Sequence, residues 1–204
     1  MHIYKTAHMF TGIIKDMGTI LSVENGKFRV SVTNPDIQKK LHQGASIAVN
    51  GTCFTVIESG EKWFEFQAIP ETLYRTTFGK AKKDDRVNLE PCLGPSDVFE
   101  GHIVQGHVDG IGTIYTIEPE GNSYIFTIHI DPSLSKYLVE KGSVAVNGIS
   151  LTVVDAEKDY FTIAIIPYTW DHTNLSLLAE GDTVNIEVDV LAKYIEKLFP
   201  HFKS

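Results

Sequence analysis

The chain has 204 residues, a formal net charge of -8 at pH 7, and a composition that is 43% hydrophobic and 22% charged. That length holds one large or two small domains with real cores, and those fractions exclude wholesale disorder. The acidic balance argues against a nucleic-acid partner or an anionic membrane surface, both of which are recognised by positive charge.

The opening MHIYKTAH, residues 1–8, has one lysine and no apolar core, so it reads as an N-terminal extension and not as a secretory signal. KFRVSV then alternates Phe28, Val30 and Val32 against Lys27, Arg29 and Ser31, the period of a half-buried strand. Turns are signalled by ENGK at Glu24, VNG at Val49 and SGEK at Ser59. PDIQKKLHQG, with proline at its start and glycine at its end, predicts a short helix from Pro35. A glycine- and proline-rich joint follows at PCLGPSDVFEG, Pro91 to Gly101. Beyond it YIFTIHI from Tyr124 predicts a strand, PSLSKYLVEKG from Pro132 a helix and VNG at Val146 a turn. DTVNIEVDV sets Val184, Ile186, Val188 and Val190 against Thr183, Asn185, Glu187 and Asp189, again a half-buried strand. In the last segment Leu191, Ile195 and Leu198 share a helical face with Tyr194 beside them. A helix that short needs a packing partner, a neighbouring subunit being favoured over its own barrel. No apolar run approaches the roughly 18–20 residues that span a bilayer. The expectation is a soluble, cytoplasmic protein with no membrane partner.

The chain repeats itself. SIAVNGTCFTVIE at Ser46 returns as SVAVNGISLTVVD at Ser143, AIPETLYRTTF at Ala68 as IIPYTWDHTNL at Ile165, and DRVNLE at Asp85 as DTVNIE at Asp182, all about 97 residues on. Between Pro35 and Glu90 that offset gives 19 identities in 56 positions. Further upstream the offset falls to about 94, setting Met17 on Ile111 and Gly12 on Gly106. A period of that size is a small domain and not a solenoid unit. Each copy holds about six short strands, which points to a small closed barrel, since closure removes sheet edges. The reading is therefore all-β: residues 9–97 form one barrel, 98–190 a second, and 191–204 a C-terminal helix and tail.

Positions alike in both copies (Ser46 and Ser143, Asn50 and Asn147, Thr55 and Thr152, Pro70 and Pro167, Thr72 and Thr169) read as common scaffold, the asparagines as turn chemistry. Positions that differ carry more information: Ile13 lines up with His107, Cys53 with Ser150, Glu71 with Tyr168, and Arg75 with His172. Two like pockets with unlike chemistry would let two copies of one molecule play two roles. In GHIVQGHVDG, His102 and His107 are five apart and point to opposite faces of an extended strand, which opposes a shared metal site. His107 sits near two glycines that let a ligand approach the backbone, and stands where its twin is apolar. Cys53 lies in an apolar strand, where cysteine commonly acts as a small hydrophobe. Cys53 and Cys92 are too few for a disulfide framework and lack C-x-x-C spacing. There is no nucleophile elbow around Ser46 or Ser150, no Walker loop and no dinucleotide fingerprint.

MFTGII at Met9, VNGTCFTV at Val49, GHIVQGHVDG at Gly101, VNGISLTV at Val146 and IPYTWDHTNL at Ile166 resemble riboflavin synthase of the α-subunit type, in order and over nearly the whole chain. The resemblance implies two homologous six-stranded Greek-key β-barrels and a C-terminal helix that helps form a homotrimer. It implies a transferase of riboflavin biosynthesis, dismuting two molecules of 6,7-dimethyl-8-ribityllumazine to riboflavin and 5-amino-6-(D-ribitylamino)uracil with no metal or organic cofactor. It further implies active sites between the first barrel of one subunit and the second of its neighbour, and makes lumazine synthase a candidate partner.

Carried over by position, His107 is the candidate for proton transfer or polarisation, and Ser46, Cys53 and Asp189 match polar active-site positions. The substrate-binding stretches fall on Gly12, Ile13, Ile14, Cys53, Phe54, Thr55, Gln67, Ala68, Ile69, Pro70, Glu71 and Thr72 for the first barrel. For the second they fall on His107, Val108, Asp109, Lys141, Ser150, Leu151, Thr152, Ala164, Ile165, Ile166, Pro167, Tyr168 and Thr169. Two departures stand out: residues 1–8 precede the usual start, and Phe54 stands where leucine is commoner. The rival readings are a non-catalytic lumazine- or flavin-binding antenna protein, which would lose the GHxxxGH pattern kept here, and a flavin reductase, whose flavin motif is missing.

Overall fold

The computed structural model describes residues 9–199. The extension 1–8 and the end of the tail, 200–204, lie outside the described residues. The first half contains β1 (Asp16–Glu24), β2 (Lys27–Ser31), β3 (Ser46–Val49), β4 (Thr52–Gly60), β5 (Trp63–Gln67) and β6 (Arg86–Pro91). These close in the order β1-β2-β5-β4-β3-β6, every pairing antiparallel. The second half repeats the pattern with β7 (Gly110–Glu120), β8 (Ser123–His129), β9 (Ser143–Val146), β10 (Ile149–Ala156), β11 (Tyr160–Ile165) and β12 (Thr183–Val188). In each, three hairpin-linked strands are followed by a fourth that returns beside the first of them, which is a Greek key. The register slips at Ile20/Ser22 and Val56/Glu58, and again at the matching Ile114/Thr116 and Val153/Asp155. Such bulges bend strands and tighten their twist, as closure of a six-stranded barrel needs. Among the described residues no helix is long and apolar enough to cross a membrane.

The turns follow the residues that signalled them. Asn25, Asn50 and Asn147 adopt positive φ, each followed by a glycine that does the same, the conformation a two-residue hairpin requires. The helix from Pro35 is α1 (Pro35–Lys40), with Asn34 accepting from the Asp36 N–H as N-cap. Its counterpart in the second barrel is shorter than the sequence pattern predicts. The pattern at Pro132 forms a helix only over Pro132–Ser135, well short of the glycine expected to end it. Two further helices, Pro70–Arg75 and Pro167–His172, went unpredicted although each opens on a proline. In chain order the helices are α1, α2 (Pro70–Arg75), α3 (Pro132–Ser135), α4 (Pro167–His172) and α5 (Val190–Leu198).

The two cores are matched in place but not in chemistry. Phe54, Phe66 and Phe78 fill the first, with Phe54 stacked on Phe66 at 3.9 Å between centroids and Phe78 edge-on to both. Their counterparts in the second are Leu151, Ile163 and Leu175, all buried. Phe54, the departure noted in the sequence, is thus one member of an aromatic trio.

The barrels meet along a buried polar seam. DTVNIEVDV is not half-buried as its alternation predicts: Asn185 and Glu187 are 1% and 3% exposed, because the outer face of β12 is covered by the other barrel. Asn88 and Asn185 donate their Nδ2 across the seam to the backbone carbonyls of Asn147 (3.1 Å) and Asn50 (2.8 Å). Their own N–H groups are received by the side chains of Asn50 and Asn147, each at 2.8 Å. Gly51 and Gly148 abut so closely that a Cβ on either would stand 2.6 Å from the other's nitrogen. Replacing Asn185 with alanine orphans the Asn50 carbonyl and the Thr77 N–H that Asn185 Oδ1 receives at 2.8 Å. At about 1–3 kcal/mol per stranded group, urea unfolding should show a loss of about 2–6 kcal/mol.

Candidate active site

Each barrel is entered by a short segment that crosses to the other barrel before its first strand begins. Gly12 lays its carbonyl on the Ser150 N–H at 2.8 Å, and Gly106 lays its own on the Cys53 N–H at 2.9 Å. Both glycines have φ of +78°, and a Cβ would stand 2.6 Å from Ser150 or 2.5 Å from Cys53. The segments are also bridged to each other through Phe10 and Val104. The predicted stretches are therefore exchanged. Gly12–Ile14, expected with the first barrel's residues, dock on Ser150 of the second, and the His107 segment, expected with the second, docks on Cys53 of the first.

Around Cys53 the outer face of β4 presents Cys53 and Thr55, while Phe54 points into the core. Ser46 pairs with Thr55 across β3 and sets its hydroxyl against the Cys53 thiol. Ala68 is buried, and the Gln67 amide is spent on the Asn25 carbonyl of the β1–β2 turn at 3.0 Å. Ile69, Pro70 and Glu71 are exposed at the start of α2, with Thr72 half-buried and Glu71 paired to Arg75. His107 is exposed, its N–H held by Glu187, and Val108 beside it is half-buried. Asp109 is engaged twice, receiving the Val188 N–H at 2.9 Å and Lys193 at 2.6 Å.

Around Ser150 the same frame carries different groups. Ser150 and Thr152 face outward on β10, while Leu151 and Ile165 belong to the core. Ser150 Oγ lies 2.7 Å from Nδ1 of the buried His102. Ile13, Ile14 and Tyr168 line a cavity of about 490 Å³ with Arg86, Asp171 and His172. Ala164, Ile166 and Pro167 are exposed, Thr169 is half-buried, and Tyr168 stacks on His172 at 4.2 Å between centroids. Lys141 is exposed in a left-handed turn close to Ser143, which pairs with Thr152. Asp189 caps α5 through the Leu191 N–H at 2.9 Å, and its charge favours the protonated form of His102.

The four candidate catalytic residues thus do not form one cluster within a chain. Ser46, Cys53 and the His107 segment lie together on the first barrel, whereas Asp189 lies toward His102. Sequence reasoning passed over His102, which is the histidine bonded to a site hydroxyl, and over the buried pair Glu90 and Glu187. The signal for that pair was present in DRVNLE and DTVNIE, where an acid is kept at the same place in both copies.

Burial governs the electrostatics. It lowers the His102 pKa, against the opposing pull of Asp189, so the imidazole beside Ser150 is neutral near pH 7 and able to accept a proton. Burial pushes the Cys53 thiol up to about 11, with the Ser46 hydroxyl partly offsetting it. Cys53 is therefore a thiol and not a thiolate at neutral pH. In a Cys92→Ser chain, the iodoacetamide alkylation rate of Cys53 should go on rising beyond pH 9 toward pH about 11.

A lumazine binding domain model matches the chain twice, over residues 11–91 and 105–189. Riboflavin synthase of Actinobacillus pleuropneumoniae is 43% identical over 93% of this chain and 89% of that protein. That of Schizosaccharomyces pombe is 40% identical, covering 93% of each. Among solved structures, LumP complexed with 6,7-dimethyl-8-(1'-D-ribityl) lumazine superposes with a TM-score of 0.77 at 26% identity, over 88% of this chain and 99% of LumP. LumP complexed with riboflavin gives 0.79 at 25% identity, with the same coverage. A repeated lumazine-binding domain on two closed barrels, with such relatives over nearly the whole length, makes this chain a member of the lumazine-binding family and an enzyme of the riboflavin synthase type.

Proposed function

We propose that the chain dismutes 6,7-dimethyl-8-ribityllumazine. One molecule gives a four-carbon unit to a second, yielding riboflavin and 5-amino-6-(D-ribitylamino)uracil. Atoms balance with no added oxidant, reductant or metal. The observation that carries this reading is the pair of equivalent docking points with unlike chemistry, Gly106 on Cys53 and Gly12 on Ser150. Two pockets on one frame hold two copies of one substrate, and the unlike linings make one the donor and the other the acceptor. Backbone groups on β4, β5, β10 and β11 read the pyrimidinedione edge, and the outward hydroxyls of Ser46, Thr55, Ser150 and Thr152 take the ribityl chain.

The C7 methyl is already acidic, because its anion delocalises into the lumazine ring, so modest acid–base help suffices. The neutral His102–Ser150 pair is suited to accept that proton in one pocket, and His107 to polarise or protonate in the other. Alignment of two rings in register supplies the rest, an effect that reaches effective molarities of about 10⁵–10⁸ M. A homotrimer that sets the first barrel of one subunit against the second barrel of the next brings the divided residues together. Its support is α5, on which Leu191, Tyr194, Ile195 and Leu198 are all more than half exposed while Lys193 and Glu196 tie the helix to its own barrel.

Purified protein given only the lumazine should form riboflavin and the pyrimidinedione in equal amounts, two lumazines being consumed per riboflavin, as resolved by chromatography. Tight binding without riboflavin would leave a lumazine-binding protein that does no chemistry. His107→Ala should lower kcat by about 10²–10⁴ while lumazine binding persists. Ile195→Asp should reduce the assembly to single chains in sedimentation, which bind lumazine but turn it over poorly.

A further inference from the structure

Two carboxylates lie in the seam where neither pocket lining uses them. Glu90 is 4% exposed and Glu187 3% exposed, depths at which an acid needs compensating partners. Among the described residues neither has a lysine or arginine at ion-pair distance. Their partners are backbone N–H groups. Glu187 receives Gln105 N–H at 2.7 Å on one oxygen, and Gly106 and His107 at 2.9 and 3.0 Å on the other. Glu90 receives the N–H and hydroxyl of Thr11 at 2.7 and 2.9 Å on one oxygen, and Gly12 N–H at 3.0 Å on the other.

Both fans of donors centre on the glycine whose carbonyl docks on the opposite barrel. A glycine offers no side chain by which packing can hold it, and its fit against Cys53 or Ser150 leaves no room for a methyl. The carboxylate supplies the missing hold from the other side of the backbone. The groups facing Glu187 are Asp109, Lys193 and Cys53, and the one facing Glu90 is Lys15.

We propose that Glu187 and Glu90 are positioning residues, one for each pocket: Glu187 seats the His107 segment on the Cys53 pocket, and Glu90 seats the Ile13 segment on the Ser150 pocket. This rests on the reading that both pockets take a ribityllumazine. An amide cannot replace either carboxylate, because one of its two ends is itself a donor facing donors.

The test is a pair of variants, Glu187→Gln and Glu90→Gln, in a full-length Trp63→Phe chain, where Trp170 is the one remaining tryptophan. Trp170 stacks on Tyr124 at 4.0 Å from the inner side of α4, the helix that also carries Tyr168, so ligand held against α4 is read through that helix. The probe is 8-ribityllumazine with oxo groups at C6 and C7, which has no methyl proton to lose. Fluorescence and calorimetric titration should find two bound per parent chain. Glu187→Gln should keep the event that quenches Trp170 and weaken the other by about tenfold or more, the scale of one lost hydrogen bond to a charge. Glu90→Gln should do the reverse. Folded variants that weaken both sites equally, or neither, overturn the proposal. If Gln lowers the melting temperature too far to titrate, Glu187→Asp and Glu90→Asp take its place under the same criterion. A parent chain that fails to bind two probes overturns the functional reading instead.

Discussion

Where the two barrels meet, hairpin turns and crossing segments bring into a buried seam backbone N–H and C=O groups that the strand ladders leave unpaired. Everything else in the molecule depends on how those groups are met. Asparagine meets them in the middle: its amide can donate with one end and accept with the other, so Asn88 and Asn185 each bridge two chain segments. Glutamate meets them at the flanks, where the crossing segments present donors only. The seam is thus sorted by hydrogen-bond polarity, and its glycines at 51 and 148 permit the contact that makes water exclusion possible. One unmet group in such a place costs more than any surface contact returns.

The asymmetry between the halves lies mostly in side chains outside the paired asparagines and glutamates of the seam. Cys53 and Ser150 are docked through identical backbone bonds, so exchanging thiol for hydroxyl alters the pocket without disturbing the frame. Helices α2 and α4 start on equivalent prolines yet carry a Glu71–Arg75 ion pair in one and a Tyr168–His172 stack in the other. The first offers charge beside the His107 segment, and the second an apolar, polarisable surface beside Ile13 and Ile14. Even the cores diverge, aromatic in one and aliphatic in the other. A duplicated protein can differentiate its two pockets this freely because the seam alone carries the common constraint.

Most of the fold was legible in the sequence because its determinants are local or periodic. The Asn-Gly turns, the strand alternation and the 97-residue repeat each survive translation into structure. What failed to read was what depends on the partner barrel. The alternation in β12 signals a solvent face, yet Asn185 and Glu187 are covered, since periodicity reports which residues face a given core and not what stacks on the other side. The same blindness grouped Gly12–Ile14 and His107–Asp109 with their own barrels, because sequence adjacency cannot show a segment crossing to its neighbour. His102 was passed over because its partner, Ser150, lies 48 residues away.

The crossing segments also connect both docking points to the C-terminal helix. Asp109 follows His107 on the segment seated by Glu187, and its two oxygens hold the Val188 N–H and Lys193 of α5. The helix with the exposed apolar face is thereby fastened to the very backbone that completes the Cys53 pocket. Asp189, which begins that helix, faces His102 in the other pocket. A displacement of α5 reaches both pockets through short, directional bonds, one charge-paired and one capping, and these transmit position better than apolar packing does. In the proposed assembly, seating α5 against a neighbouring subunit would fix the same few atoms that hold both crossing segments, which ties the proposed chemistry to the proposed trimer.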